Sequence, residues 1–272
     1  MSRLPDTEDL LIERDGWVLR LTLNRPALRN ALSTELRAAL TQTFEAIRDD
    51  REIRAVVIRG AGGNFCAGGD IKGFGKGQDE SRPADEADPF LVSNRLYGEL
   101  LDAVNEAPQV VIAAIEGAVR GGGMGFTCTS DVAIATERAS FGLPEATLGL
   151  PAAQVCVFVA ERIGLTQTRM LASTGATFRA PEALARGLIH HVVADADALE
   201  AKVEEVLADV ARCEPAAVAE NKRLLHLAKR AGRTDVIEAA AQSFTGAMRG
   251  EAAKEGVAAF IEKRDAAWNQ RA

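Results

Sequence analysis

Three short apolar runs spaced along the first 115 residues most constrain the fold. Trp17 to Leu23 (WVLRLTL) alternates apolar and polar residues, the period of a half-buried strand. Arg54 to Ile58 (RAVVI) and Gln109 to Ile115 (QVVIAAI) are β-branched runs suited to a sheet buried on both faces. Helical patterns lie between them. Ser33 is placed to N-cap a helix over Thr34 to Arg48, whose Leu36, Leu40, Phe44 and Ile47 form one apolar stripe. A second helix is expected over about 90–105, stopping before Pro108. Strands alternating with helices predict an α/β layer built by crossover connections.

Beyond residue 195 the strand patterns cease. Helical patterns cover 196–212, 216–229, 235–248 and 251–268. The expected organisation is therefore an α/β core over 1–195 and a helical region over 196–272. Residues 74–89 (FGKGQDESRPADEADP) are polar and rich in Gly, Pro and acid, which predicts a surface loop of the kind that borders binding sites.

Composition excludes several functions. A net charge of −7 with no basic tail argues against nucleic-acid binding. No run of about 18 apolar residues suggests a membrane span. The acidic opening MSRLPDTEDLLIERDG resembles neither a signal nor a transit peptide, so a cytoplasmic location is expected. The four cysteines are widely spaced and read as reduced thiols, and the three histidines show no metal-binding spacing, so no metal is expected.

Two glycine clusters carry the chemical signal: GGNFCAGGDIK (62–72) and EGAVRGGGMGFTCT (116–129). Neither contains G-x-G-x-x-G at a strand-to-helix turn, and Gly75-Lys76 is followed by Gly77, so dinucleotide-binding and P-loop readings fail. Either cluster alone reads as a turn. Together they admit a second reading, since Gly121-Gly122-Gly123 opens a short helical pattern whose free N–H groups favour negative charge. If the other turn faced it, two backbone donors would converge on one oxygen, the geometry of an oxyanion hole.

LTLNRPALRNALS, FCAGGDIK, GAVRGGGMG, SDVAIA, FGLPEATLGLP and EGVAAFIEKRDAAW occur here in the order of the corresponding segments of the crotonase superfamily, the enoyl-CoA hydratase/isomerase family, which the chain resembles over nearly its whole length. The resemblance implies a spiral ββα core with a C-terminal helical trimerisation region, and a homotrimer or dimer of trimers. It implies an acyl-CoA thioester substrate and no separate cofactor, coenzyme A being part of the substrate. Gly69 and Gly122 would then be the oxyanion donors and Glu145 the acid–base group. Ala67, Asp70, Ile71, Lys72 and Gly121 would border the acyl group, Ala27, Leu28 and Arg29 the nucleotide, and Phe260 and Lys263 the coenzyme from the C-terminal helix.

Two departures from the family pattern bear on the reaction. Hydratases of this family typically carry a glutamate three residues after the middle glycine, and here that position is Gly125. The usual IPGxGGTQRL is replaced by LPAAQVCVFVAERIG, which resembles single-glutamate hydratases of branched, glutaconyl-type esters and offers Gln154 as a polar partner in the pocket. One glutamate suffices for Δ3-Δ2 isomerisation and, with another polar group holding the water, for hydration. Hydratase is the preferred expectation, with isomerase the alternative. Thioester hydrolysis, decarboxylation and a non-catalytic acyl-CoA-binding scaffold remain further readings.

Overall fold

The computed structural model describes residues 4–70 and 88–269. Most of the expected 74–89 loop, and Ile71 and Lys72, lie outside the described residues.

Among the described residues, nine strands form two sheets. The larger has the order β1 (Leu10–Asp15), β2 (Val18–Leu23), β3 (Ala55–Gly60), β4 (Val110–Ile115), β6 (Val132–Thr136) and β9 (His191–Val193). The β1–β2 pair is a hairpin, and every later neighbour is parallel, as crossover connections require. The smaller sheet joins β5 (Ala118–Arg120), β7 (Ser140–Gly142) and β8 (Thr177–Arg179). These three-residue strands and β9 are too short for a periodic pattern and have no separate strand signal in the sequence.

Side-chain alternation divides the core between the two faces of the larger sheet. Leu19, Leu21, Val56, Ile58, Val111, Ala113, Ala133 and Ala135 point one way. They pack beneath α1 (Thr34–Ile47), α2 (Pro89–Asn105), α3 (Gly122–Thr129) and α4 (Ala153–Thr174), the last interrupted at Gly164. Val18, Ala55, Val57, Ile112, Ala114 and Ile134 point the other way, onto Leu199, Val203, Leu207 and Ala211 of α6 (Ala196–Ala211). The first helix beyond residue 195 thus forms one wall of the core. A short helix, α5 (Ala180–Ala185), precedes β9.

The helix ends follow local chemistry. Ser33 Oγ accepts from the Leu36 N–H at 3.0 Å, and Leu36, Leu40, Phe44 and Ile47 are buried as their spacing predicts. The C-terminal helices are α7 (Pro215–Arg230), α8 (Arg233–Arg249) and α9 (Glu251–Glu262). The apolar pattern extends to Trp268, but α9 stops earlier because Lys263 turns left-handed (φ 55°). The chain then folds back, with Arg264 paired to Glu255 and the Trp268 ring against Gly256.

Arg54 joins the tail to the core. Its guanidinium donates to the carbonyls of Val210, Ala211, Cys213 and Trp268 at 2.6–2.9 Å and lies 4.9 Å from the Trp17 ring centre.

Candidate active site

Three chain segments run side by side and deliver the glycine turns to one place. Cys66 pairs with Val119: the Cys66 N–H donates to the Ala118 carbonyl and the Arg120 N–H to the Cys66 carbonyl, each at 3.0 Å. On the other side the Leu32 N–H donates to the Gly68 carbonyl at 2.8 Å and the Asp70 N–H to the Leu32 carbonyl at 3.3 Å. The 67–70 turn is therefore held between residues 29–32 and β5, directly beside the triple glycine.

Contact between the turns is close enough to need glycine. Gly68 has φ 94°, and a β-carbon there would lie 3.0 Å from the Arg120 carbonyl oxygen and 3.6 Å from the Gly122 nitrogen. Gly121 has φ 46°, and its β-carbon would lie 2.5 Å from Glu145 Oε1. Both positions combine a left-handed backbone with a close approach that a side chain would block. Among the described residues no acceptor takes the N–H of Gly69 or of Gly122. Gly69 is exposed and Gly122 buried.

Glu145 arrives by the same sheet. Strands β5 and β7 are parallel, with Arg120 opposite Gly142, and the Gly121 N–H donates to the Gly142 carbonyl at 3.3 Å. Both strands end side by side. The segment leaving β7 passes through Pro144 into a 3-10 turn, Glu145–Leu148, which sets the carboxyl over Gly121. Glu145 is half-buried, and its Oε2 is fully buried with no hydrogen-bond partner among the described residues. Burial raises its pKa, opposed in part by its own backbone N–H.

Other residues singled out from the sequence are distributed around this centre. Ala27 and Leu28 lie in a 3-10 turn, Pro26–Leu28, and Arg29 follows with φ 49°, its carbonyl accepting from the Ala67 N–H at 2.9 Å. All three side chains are exposed. Asp70 is tied to Arg25 at 2.9 Å, and Arg25 also reaches Asp9. Gln154, at the start of α4, lies against Gly98 of α2, with its Nε2 donating to Asn94 Oδ1 at 3.1 Å. Phe260 and Lys263 lie at the exposed end of α9, which packs on α8.

Three further contributors were not singled out as site residues from the sequence, although Asn30 and Arg120 lie inside the segments LTLNRPALRNALS and GAVRGGGMG. Asn30, fully buried, accepts from the Arg25 N–H and donates to the carbonyls of Ala61 and Asn64, locking the first glycine cluster against the 25–31 turn. Arg120 bonds Ser140 and has its pKa lowered, first by burial and then by the guanidinium charges of Arg179 and Arg29, so this flank is positive. Tyr97 reaches the second cluster from α2, its hydroxyl donating to the Gly122 carbonyl at 2.6 Å. It stands on the buried stripe Tyr97, Leu100, Leu101, Val104, and that position is its one sequence signal.

Two facing glycine turns, with a half-buried carboxyl over Gly121, form the candidate site. The family model for enoyl-CoA hydratase/isomerase matches residues 13–271, and the chain belongs to that family. It is similar to the enoyl-CoA hydratase EchA19 of Mycobacterium tuberculosis, at 34% identity over 97% of both chains. Similar solved structures include an enoyl-CoA hydratase/isomerase from Marinobacter aquaeolei (45% identity, TM-score 0.92) and Pseudomonas aeruginosa AtuE (47%, TM-score 0.92). Each alignment covers 97% of this chain and all of the other. The core is thus the crotonase fold, with its helical C-terminal region.

Proposed function

We propose that this enzyme is an enoyl-CoA hydratase in which Glu145 alone moves the proton. The observation that carries this reading is the half-buried carboxyl over the Gly121–Gly122 turn, whose Oε2 has no hydrogen-bond partner among the described residues. The thioester oxygen takes the N–H groups of Gly69 and Gly122, and Ala67, Asp70 and Gly121 border the acyl group. Glu145 removes a proton from water as its oxygen bonds C3, the electrons pass to the thioester oxygen, and the enolate recovers that proton at C2. One carboxyl and one water on one face balance the addition. No cofactor is required, since coenzyme A is carried by the substrate.

The exposed 27–29 turn beside the positive Arg29–Arg120–Arg179 flank suits the anionic coenzyme. The Pro-Ala start at Pro151-Ala152 favours a branched or glutaconyl-type acyl group. The exposed apolar side chains Leu225, Ile237, Phe244, Met248, Phe260 and Ile261 on α7–α9 favour a trimer or dimer of trimers, in which Phe260 and Lys263 would reach a coenzyme site.

A second reading, Δ3-Δ2-enoyl-CoA isomerisation, is favoured by Gly125, which leaves one base to remove a proton at C2 and return it at C4. Crotonyl-CoA, a 3-enoyl-CoA and 3-methylglutaconyl-CoA distinguish the two. Hydration removes the conjugated thioester absorbance of the first and third, whereas isomerisation of the 3-enoyl ester creates it. Tight binding without turnover of any ester would overturn the catalytic reading in favour of an acyl-CoA-binding scaffold.

A further inference from the structure

Three successive glycines, Gly121 to Gly123, carry the donor N–H of the second turn, and none has a side chain to hold its backbone. Each is anchored from outside. The Gly121 N–H donates to the Gly142 carbonyl, and Gly123 lies against the Cys66 carbonyl, where a β-carbon would approach to 2.5 Å. Gly122 is held between the Leu32 side chain and the hydroxyl of Tyr97. That hydroxyl donates to the Gly122 carbonyl at 2.6 Å in a buried setting, and the ring is fixed edge-on against Phe126 with centres 6.2 Å apart. Tyr97 is the only tyrosine in the chain.

The same hydroxyl explains the missing carboxylate. A β-carbon on Gly125 would lie 2.8 Å from the Tyr97 hydroxyl and 2.9 Å from both Leu101 methyl groups. The tyrosine therefore fills the volume into which a glutamate at 125 would project. A phenylalanine would fill the same space but donate no hydrogen bond.

We infer that Tyr97 is a positioning residue for the reaction: its hydroxyl pins the Gly122 peptide so that the Gly122 N–H faces the thioester oxygen, in the space where a second carboxylate would otherwise stand. This rests on the proposed oxyanion role of Gly122. The bond reaches the carbonyl on one side of the Gly122 α-carbon, while the donor N–H lies on the other, so fixing one restrains the torsions that aim the other. A displacement of about an ångström in such a group lowers the rate by about a hundredfold.

Tyr97→Phe in the full-length enzyme tests this with two readouts. Turnover of the preferred enoyl-CoA should fall about 10- to 100-fold with KM within about threefold, the pattern of a lost transition-state interaction. The red shift in absorbance of the bound conjugated thioester, which reports polarisation of its carbonyl, should shrink. Gly125→Ala crowds the same hydroxyl, its β-carbon 2.8 Å away, and should reduce the red shift with Tyr97 still present. An unchanged red shift and kcat in Tyr97→Phe, with only the thermal midpoint lowered, would overturn the inference and leave the tyrosine as packing. A full red shift in Gly125→Ala would count equally against it. Absence of any red shift in the unaltered enzyme would instead remove the oxyanion reading itself.

Discussion

The carboxyl of Glu145 sits over Gly121, its Oε1 2.5 Å from the point a β-carbon on that glycine would occupy. The carboxyl and the glycine turn are therefore closely packed. Both follow parallel strands of the same small sheet, which makes their spacing a property of the backbone.

Glu145→Gln should lower turnover by about a hundredfold to ten-thousandfold, the usual contribution of a positioned acid–base group. Binding of the CoA ester should stay within severalfold, because the amide has the same shape. Steady-state kinetics and calorimetric titration measure the two quantities. Full activity in this variant would remove Glu145 from the mechanism.

Stability should depend on pH through the same residue. Burial raises the Glu145 pKa, so the folded state holds its proton more tightly than the unfolded state does. The folded protein is then favoured by this group at low pH, and that advantage declines as pH rises through the interval from the ordinary carboxylate pKa to the raised one. Denaturant midpoints of Glu145→Gln against the parent should diverge in the variant's favour across that interval. Parallel curves would show that the carboxyl is not appreciably desolvated.

Gly121→Ala should cost about 1–3 kcal/mol from the positive φ alone. It should also displace Glu145, so kcat falls further than the stability loss accounts for. A variant of normal kcat would show that the carboxyl can move away from the turn without consequence.

Arg54→Ala separates scaffold from site. The change leaves the carbonyls of Val210, Ala211, Cys213 and Trp268 without their shared donor, and a loss of about 3 kcal/mol or more is expected. The kcat of the folded fraction at low temperature should match the parent. Urea unfolding monitored beside kinetics would expose the opposite pattern, reduced kcat at full stability.

Arg29→Gln should raise KM for the CoA ester severalfold with kcat unchanged, since Arg29 is exposed on the positive flank and distant in role from proton transfer. The KM of the parent should also rise with ionic strength more steeply than that of the variant. Equal salt dependence would place the coenzyme phosphates elsewhere.

Much of the scaffold was legible in the residues themselves. An alternating run marked β2, β-branched runs marked β3 and β4, the Ser33 cap and its stripe marked α1, and the change of pattern near residue 195 marked the helical region. These are local signals, because burial of a periodic face needs only the sequence spacing. The glycine clusters were legible as turns, and Gly68 and Gly121 take the positive φ that such turns need. The smaller sheet was not. Strands β5, β7 and β8 have three residues each and exist only because neighbours supply their hydrogen bonds.

By itself, then, the sequence determined the α/β class, the positions of the glycines and the presence of one carboxyl with Gly125 in place of another. Only the tertiary structure decided what stands beside them. The pairing of β5 with β7 brings Glu145 over Gly121, and the packing of α2 against α3 brings Tyr97, 25 residues earlier, to the Gly122 carbonyl. Such contacts depend on where separate segments meet in space, and residue spacing along the chain carries no record of that meeting.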